Sequence, residues 1–298
     1  PTTFQGVPRI YTKFKEKVLE KMSQKKLNIL LKIPIISSII KKKLRAALGW
    51  SKVRVIVSGA AAMPVPLLEW YKTIGVYIVN GYGMTENCAI TTQLPGSNFS
   101  KPGSVGQVQP NVEIKIDEGS EEVLMRGPYV MLGYYNDSET TNNTIKNGWL
   151  HTGDKGKIDD DGHLYITGRV KDTFKTSKGE FIDPAKIEAL FGEVEYFGQM
   201  CVVGLGIPQP IMLVNISDIG KKLTKNELID KLENKLSSVN SKAFNYLRVS
   251  TIVICKDEWT PQNEILTPTM KIKRGNVDKM YMDKYDEWHH SDKKIIWE

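Results

Sequence analysis

"VYIVNGYGMTENCAI", residues 76–90, starts as a strand and ends as a loop. The branched and aromatic run at its head reads as a buried strand. Gly81 and Gly83 then flank Tyr82, and Thr85 and Glu86 follow closely. Upstream, "VRVIVSG" (53–59) reads as a second strand. Between the two lies "PLLEWYKTIG", a helix with Pro66 in its first turn and Gly75 as its stop. Strand, helix, strand is the βαβ unit of a parallel sheet. Ligands of such sheets bind beyond the carboxyl ends of the strands. "SGAAAMP" (58–64) and "GYGMTE" (81–86) both sit there.

Glycines let a backbone approach a ligand closely, and a tyrosine ring can lie on a flat heterocycle. A threonine hydroxyl can donate to a phosphate oxygen. A glutamate is a hard oxygen ligand suited to Mg²⁺. The loop is thus readable as an adenosine, phosphate and metal site. Taken alone, it is equally an ordinary strand-end turn.

The 298 residues suffice for two or more domains, and 41% hydrophobic content with six Trp, twelve Tyr and eight Phe argues for packed cores rather than disorder. A net charge of +7 favours anions without choosing among nucleic acid, membrane and phosphorylated small molecules. Cys88, Cys201 and Cys255 are odd in number and have no CxxC spacing, which suits a reducing compartment. The four histidines form no metal-ligand pattern. The opening "PTTFQGVPRIYTKF" has no methionine and no apolar signal segment, and reads as the start of a fragment or trimmed chain.

Residues 9–31 carry a loose helical period. "LNILLKIPIISSIIKKKLRAALGW" (27–50) is apolar with basic flanks, but Lys32 and Pro34 interrupt it, so it is too short for a membrane span. It reads plainly as a helical hairpin on the core, and more sharply as a basic amphipathic surface touching a membrane.

From residue 103 short β segments take over ("VEIKID", "EEVLMRG", "GWLHTGDKGKID", "HLYITGR"), with "DDDG" (159–162) as a turn. They predict a small antiparallel barrel or sheet. After "GRVKD" a third texture follows: a helix capped by Asp183, strands "MCVVGLG" and "IMLVNIS", a helix with a Thr224/Glu227 capping box, and strand "RVSTIVIC". The expected organisation is mixed α/β and α+β in several domains. Residues 1–102 would end a large α/β domain, 103–170 form a small β-barrel-like subdomain, and 171–298 form a mobile α+β domain. "VGLGIP" (203–208) lacks a third glycine and a following helix, so it reads as a strand-end turn rather than a dinucleotide motif. No mechanism attaches to the tail "YDEWHHSDKKIIWE".

"SGAAAMP", "GYGMTE", "GWLHTGD", "GRVKD" and "PTMKIKR" occur in this order at wide spacing. In this the chain resembles the adenylate-forming superfamily of acyl-CoA synthetases, luciferases and adenylation domains. "PTTFQGVPRIYTKF" and "LTPTMKIKR" look most like its long-chain fatty acyl-CoA synthetase branch. The resemblance implies an ATP-dependent acid–thiol ligase with Mg²⁺. A carboxylate attacks the α-phosphate of ATP to give acyl-adenylate and pyrophosphate, and CoA then takes the acyl group. The implied partners are a fatty acid, ATP and CoA, not nucleic acid. The implied location is cytoplasmic, at the inner membrane face if the basic run binds lipid. Other acid ligases or adenylation enzymes of the superfamily, and a truncated nucleotide-binding module without catalysis, remain as alternatives.

The same resemblance distributes roles. Tyr82 would stack on adenine, with Gly83 beside it. Thr85 would contact the α-phosphate, and Glu86 would hold Mg²⁺. Gly59, Ala60 and Ala61 would give close backbone approach to adenine and acyl group; a tight strand-to-helix turn explains them equally. Asp154 would accept from the ribose hydroxyls and Arg169 donate to ribose or phosphate, their alternatives being a hairpin aspartate and a surface arginine. Lys271, preferred over Lys273, would bring positive charge to the adenylation centre. Asp172 matches the hinge about which the C-terminal domain rotates. Gly179 matches the glycine beside the pantetheine arm. Two departures accompany the match. The phosphate loop of the type "TSGTTGxPKG" is absent and should precede residue 1, so the fragment alone is expected to be inactive. Phe181 stands where some short-chain relatives place an arginine for a CoA phosphate.

Overall fold

The computed structural model describes residues 1–61, 63–93, 101–192 and 194–298; Ala62 of "SGAAAMP" lies outside them. The chain divides into two compact units, Pro1–Ile166 and Thr167–Glu298.

The first unit opens with strand β1 (Thr3–Gly6) and helices α1 (Pro8–Lys21), α2 (Gln24–Leu31) and α3 (Pro34–Ala47). The period over 9–31 therefore belongs to two helices, not one. Ser23 caps α2, its hydroxyl accepting the Lys26 N–H, and Pro34 starts α3 where its missing N–H costs nothing. Strand β2 (Val55–Ser58), helix α4 (Val65–Thr73) and strand β3 (Val79–Tyr82) then form the expected parallel unit, and β1 pairs parallel to β2 on its other edge. Its core gathers Tyr11, Leu27, Trp50, Leu67, Tyr71 and Ile78. Polar ends of the buried rings are satisfied inside it: the Tyr11 hydroxyl donates to Val57 O at 2.7 Å and that of Tyr71 to Tyr11 O at 2.6 Å.

The antiparallel strands continue the same sheet. Beyond β3 come β4 (Thr92–Gln93), β5 (Gly106–Val108), β6 (Glu113–Ile116), β7 (Glu122–Arg126), helix α5 (Ser138–Thr144), β8 (Ile145–Lys146), β9 (Trp149–Ile158) and β10 (His163–Arg169). The order is β1-β2-β3-β4-β5-β10-β9-β7-β6, with β8 beside β9. Tyr82 opposite Thr92 makes the junction, where parallel pairing gives way to antiparallel. A second core, Val105, Val123, Met125, Leu150 and Leu164, lies under these strands.

The second unit holds the hairpin β11 (Phe174–Lys175) and β12 (Phe181–Ile182), then α6 (Pro184–Phe191), β13 (Phe197–Val203), β14 (Ile211–Ile216), α7 (Lys225–Asn240), β15 (Ile252–Ile254), α8 (Arg274–Tyr281), α9 (Tyr285–His289) and β16 (Ile295–Trp297). Its sheet runs β13-β14-β15-β16, antiparallel at the first pair and parallel after it. Both faces are covered. Along β14, Met212 and Val214 enter one core with Leu228 and Leu232 of α7, while Ile211 and Leu213 enter the other with Val277 and Trp288. This period of two explains why β14 is apolar from Ile211 through Val214. The caps at Asp183 and Thr224/Glu227 form as the sequence predicts. The tail has a structural role that sequence reading missed: Tyr285 and Trp288 fill a core and Ile295 pairs with Ile252.

Candidate functional site

The loop after β3 is built around Asn87, a side chain 1% exposed. Its Oδ1 accepts the Met84 N–H at 3.0 Å, and its amide donates to Ile90 O at 3.1 Å and to the Thr91 hydroxyl. Cys88 and Ala89 both take φ +57°, so two successive left-handed residues reverse the chain. The reversal brings Ala89 against Gly83, where a Cβ would collide with the Ala89 backbone. The glycine at 83 is thus required by the turn itself. Thr85 is exposed on this loop. Glu86 is half-buried, its carboxylate accepting the Tyr134 hydroxyl at 2.8 Å and its backbone oxygen accepting the Met131 N–H at 2.7 Å. That hydrogen bond to Glu86, with burial second, pushes the Tyr134 phenol above its ordinary pKa, so it stays a donor.

Asp154 lies away from the turn that joins β9 to β10. It lies in the middle of β9 on the inward face, beside Thr152 and Leu150, and is 9% exposed. The Tyr82 hydroxyl donates to its Oδ2 at 2.7 Å. Residues 72 apart in sequence therefore meet at one point. Glu122 fixes the approach: its carboxylate accepts the Gly153 N–H at 2.7 Å and pairs with His151 Nδ1 at 2.9 Å. Gly153 has φ +70° at the place where the β7–β9 register slips, a conformation that favours glycine. Gly59 and the exposed Ala60 and Ala61 follow β2, next to β3, and a Cβ at Gly59 would come 3.8 Å from Gly81 O. Ala60 takes φ +65°.

In the second unit Arg169 is the exposed last residue of β10, and Gly179 closes the β11–β12 turn, donating its N–H to Thr176 O at 3.0 Å. Phe181 is largely exposed, with Lys175 Nζ 5.3 Å from its ring centre. Lys271 sits on a strap pinned by the Leu266–Ile272 bridge, with its N–H bonded to the Thr267 hydroxyl and Met270 at φ +65° before it. The strap leads straight into α8, whose first residue is Arg274. Arg274 Nε holds Asp172 at 3.0 Å, Nη2 holds both Glu188 oxygens at 2.7 and 2.6 Å, and Nη1 donates to Val202 O at 3.1 Å. Burial pushes the Glu188 carboxyl up, and Arg274 opposes it. The Asp172 side chain is therefore tied into the second unit.

Tyr134, Asn87, Glu122 and the Arg274 hub escaped sequence reading. Asn87 adjoins "GYGMTE", and its neighbour position was the available signal; Tyr134 and Glu122 meet the site only through tertiary pairing.

This arrangement is the fold of adenylate-forming enzymes. The A-PCP didomain of a carboxylic acid reductase from Segniliparus rugosus, solved in complex with AMP, superposes with a TM-score of 0.75 at 23% identity, over 97% of this chain and 42% of that one. A model described as AMP-binding enzyme matches residues 1–135, one described as AMP-binding enzyme C-terminal domain matches residues 171–293, and the chain belongs to this family. Among curated relatives, fatty acyl-CoA synthetase B of Dictyostelium discoideum is 29% identical over 95% of this chain and 50% of its own length. The long-chain-fatty-acid–CoA ligase ACSBG2 of Xenopus laevis is 30% identical over 97% and 48%. The chain thus spans about half the length of the curated relatives it matches.

The residues present fit the groups that the family implies. Among the described residues no three His, Cys, Asp or Glu side chains gather as a cage. Glu86 offers one carboxylate with lone pairs beyond the one that Tyr134 engages. A single carboxylate shared with substrate phosphates suits Mg²⁺, which keeps the rest of its shell in water and phosphate oxygen. An aromatic ring joined to a buried carboxylate likewise suits a nucleoside, one group for the base and one for the sugar.

Proposed function

We propose that this chain is the C-terminal part of an ATP- and Mg²⁺-dependent long-chain fatty acid–CoA ligase. The observation that carries the reading is the Tyr82–Asp154 hydrogen bond at the end of β3, which joins the two residues expected at adenine and ribose. The names of the relatives support the fatty acid and CoA as substrates. Tyr82 would carry the base and Asp154 the ribose, while Gly59, Ala60, Ala61 and Gly83 leave room for the backbone to approach. Thr85 would meet the α-phosphate. Mg²⁺ would be held by Glu86 and would neutralise phosphate charge. Arg169 would steady ribose or phosphate, and Lys271 would offset the charge that develops between carboxylate and α-phosphate. Gly179 would border the pantetheine arm, and Asp172 would serve the movement of residues 171–298 relative to 1–102 and 103–170. Among the described residues no helix is long and apolar enough to cross a membrane. A cytoplasmic place at a membrane face fits three free cysteines and a lipid-soluble substrate.

The test has two stages. This chain should bind AMP, and Tyr82→Ala should weaken that binding by about tenfold, the scale of one lost stacking contact. The polypeptide extended to the length of its relatives should release pyrophosphate with long-chain fatty acids and not with aryl acids. AMP binding that ignores Tyr82→Ala removes the site. Release with aryl acids alone moves the protein to another branch. AMP binding without pyrophosphate release from the extended polypeptide favours a nucleotide-binding module.

A further inference from the structure

Helices α2 and α3 present an outward face that their packing does not use. Inward, Leu27 is fully buried, Ile40 and Leu44 pack on the first unit's core, and Gln24 accepts the Trp70 indole N–H at 2.9 Å. Outward, Ile29, Ile33, Ile35 and Ile39 are 63, 44, 77 and 51% exposed. They straddle the corner between the helices, where Pro34 starts the second. Ile35, Ile39 and Lys42 follow one another along a single side of α3, with Lys43 exposed beside them. Scattered exposed isoleucines need no explanation, but four around one corner do.

The charge along this stretch of chain has one sign. Between Glu20 and Glu69 the sequence contains no acidic residue, yet it contains Lys21, Lys25, Lys26, Lys32, Lys41, Lys42, Lys43, Arg45, Lys52 and Arg54. Forty-eight residues without a carboxylate, in a chain whose basic and acidic totals are 41 and 34, is a local imbalance rather than a reflection of the whole. An apolar face in a stretch whose charged residues are all cationic matches a surface that is itself apolar beneath and anionic above. α3 has 14 residues, roughly 21 Å of helix, against about 30 Å of bilayer hydrocarbon. It can lie in the interface but cannot cross it.

We propose that the α2–α3 corner docks on an anionic lipid bilayer, with Ile29, Ile33, Ile35 and Ile39 entering the headgroup boundary and Lys42 and Lys43 meeting lipid phosphates. The docking face stands on these observations alone. Its use, to take up fatty acid directly from the bilayer, rests on the ligase reading above.

The experiment is co-sedimentation of this chain with vesicles of phosphatidylcholine containing about a quarter phosphatidylserine, with pure phosphatidylcholine as control. AMP binding is measured on the same samples, so that loss of one property is seen apart from loss of the other. Binding to the anionic vesicles should exceed that to neutral ones by about tenfold or more at low salt and fall as salt screens it. Ile35→Asp with Ile39→Asp should abolish it while leaving the circular dichroism and AMP binding unchanged. Lys42→Glu with Lys43→Glu, both at exposed positions, should remove the preference for anionic lipid. Lys279→Glu, on α8 of the other unit, should change nothing. The proposal is overturned if the chain stays in the supernatant at low salt, or if both double variants bind as well as the parent. It is also overturned if the chain self-associates through this corner instead of binding vesicles. Failure of the polypeptide extended to its relatives' length to bind vesicles that this chain binds would equally overturn it, because the corner would then be a covered domain surface.

Discussion

A buried side-chain amide holds the root of the loop that carries Thr85 and Glu86. Replacing Asn87 with Ala leaves the Met84 N–H and the Ile90 carbonyl without their partner, in a loop already reversed by two left-handed residues. Unpaired buried polar groups cost about 1–3 kcal/mol, so Asn87→Ala should lower the stability of the first unit by that order. AMP affinity should fall with it, readable by calorimetry on folded protein. Glu86→Gln tests something different. The amide oxygen can still accept from Tyr134, and the backbone bond from Met131 does not involve the side chain. Geometry should persist while charge is lost. In the extended enzyme, adenylation should fall by about a hundredfold and respond weakly to added Mg²⁺. Unchanged metal dependence would remove Glu86 from its role. Glu86 was legible in the sequence because it adjoins a glycine-bounded aromatic residue at a strand end. Tyr134 was not, because nothing local links it to a residue 48 positions earlier.

Turns show the same division at the scale of elements. "DDDG" announces the β9–β10 turn but not which aspartate organises it. In the structure Asp159 does: it accepts the His163 N–H at 2.9 Å and the Asp161 N–H at 3.1 Å, and it pairs with Lys101 at 3.0 Å. The His163 N–H above all lowers its pKa from 3.8 to about 2, against the opposing effect of burial and with further help from Lys101. A carboxyl with a depressed folded pKa binds fewer protons folded than unfolded. Its contribution is therefore full above 3.8 and is lost as pH falls through about 2. Unfolding midpoints measured across that window should drop with acid, and Asp159→Asn should flatten that drop relative to the parent. Identical pH profiles would show that the turn does not depend on this charge. Helices α4, α6 and α7 and their caps were legible because their signals are local: Pro66, Asp183 and Thr224 with Glu227 each act within a turn of themselves. The single continuous sheet was not, since the pairing of Tyr82 with Thr92 depends on a turn whose organiser is the side chain of Asn87.

For the whole molecule, the resemblance asks one residue to act in the first half-reaction and another to allow the second, and both belong to the second unit. Asp172 is the harder to test cleanly. Its carboxylate is bonded to Arg274, which also holds Glu188, so a substitution there can act by breaking an ion network as well as by stiffening a hinge. Two variants separate these effects. Asp172→Asn removes the charge and keeps the backbone free, whereas Asp172→Pro also fixes φ and deletes an N–H. In the enzyme extended to its relatives' length, Asp172→Pro should form acyl-adenylate at near-parent rates but pass it to CoA slowly, while Asp172→Asn should retain most of both steps. Lys271→Ala should do the opposite of Asp172→Pro: it should lose adenylate formation by about a hundredfold or more, the usual consequence of removing a charge from a polar transition state, yet convert supplied acyl-adenylate to thioester. Lys273→Ala should leave both steps intact, since Lys271 is the residue matched to the family's lysine. If Asp172→Asn and Asp172→Pro fail alike, the Arg274 network and not chain flexibility governs the step. If Lys271→Ala and Asp172→Pro lose the same half-reaction, the two residues do not serve alternating arrangements of the second unit.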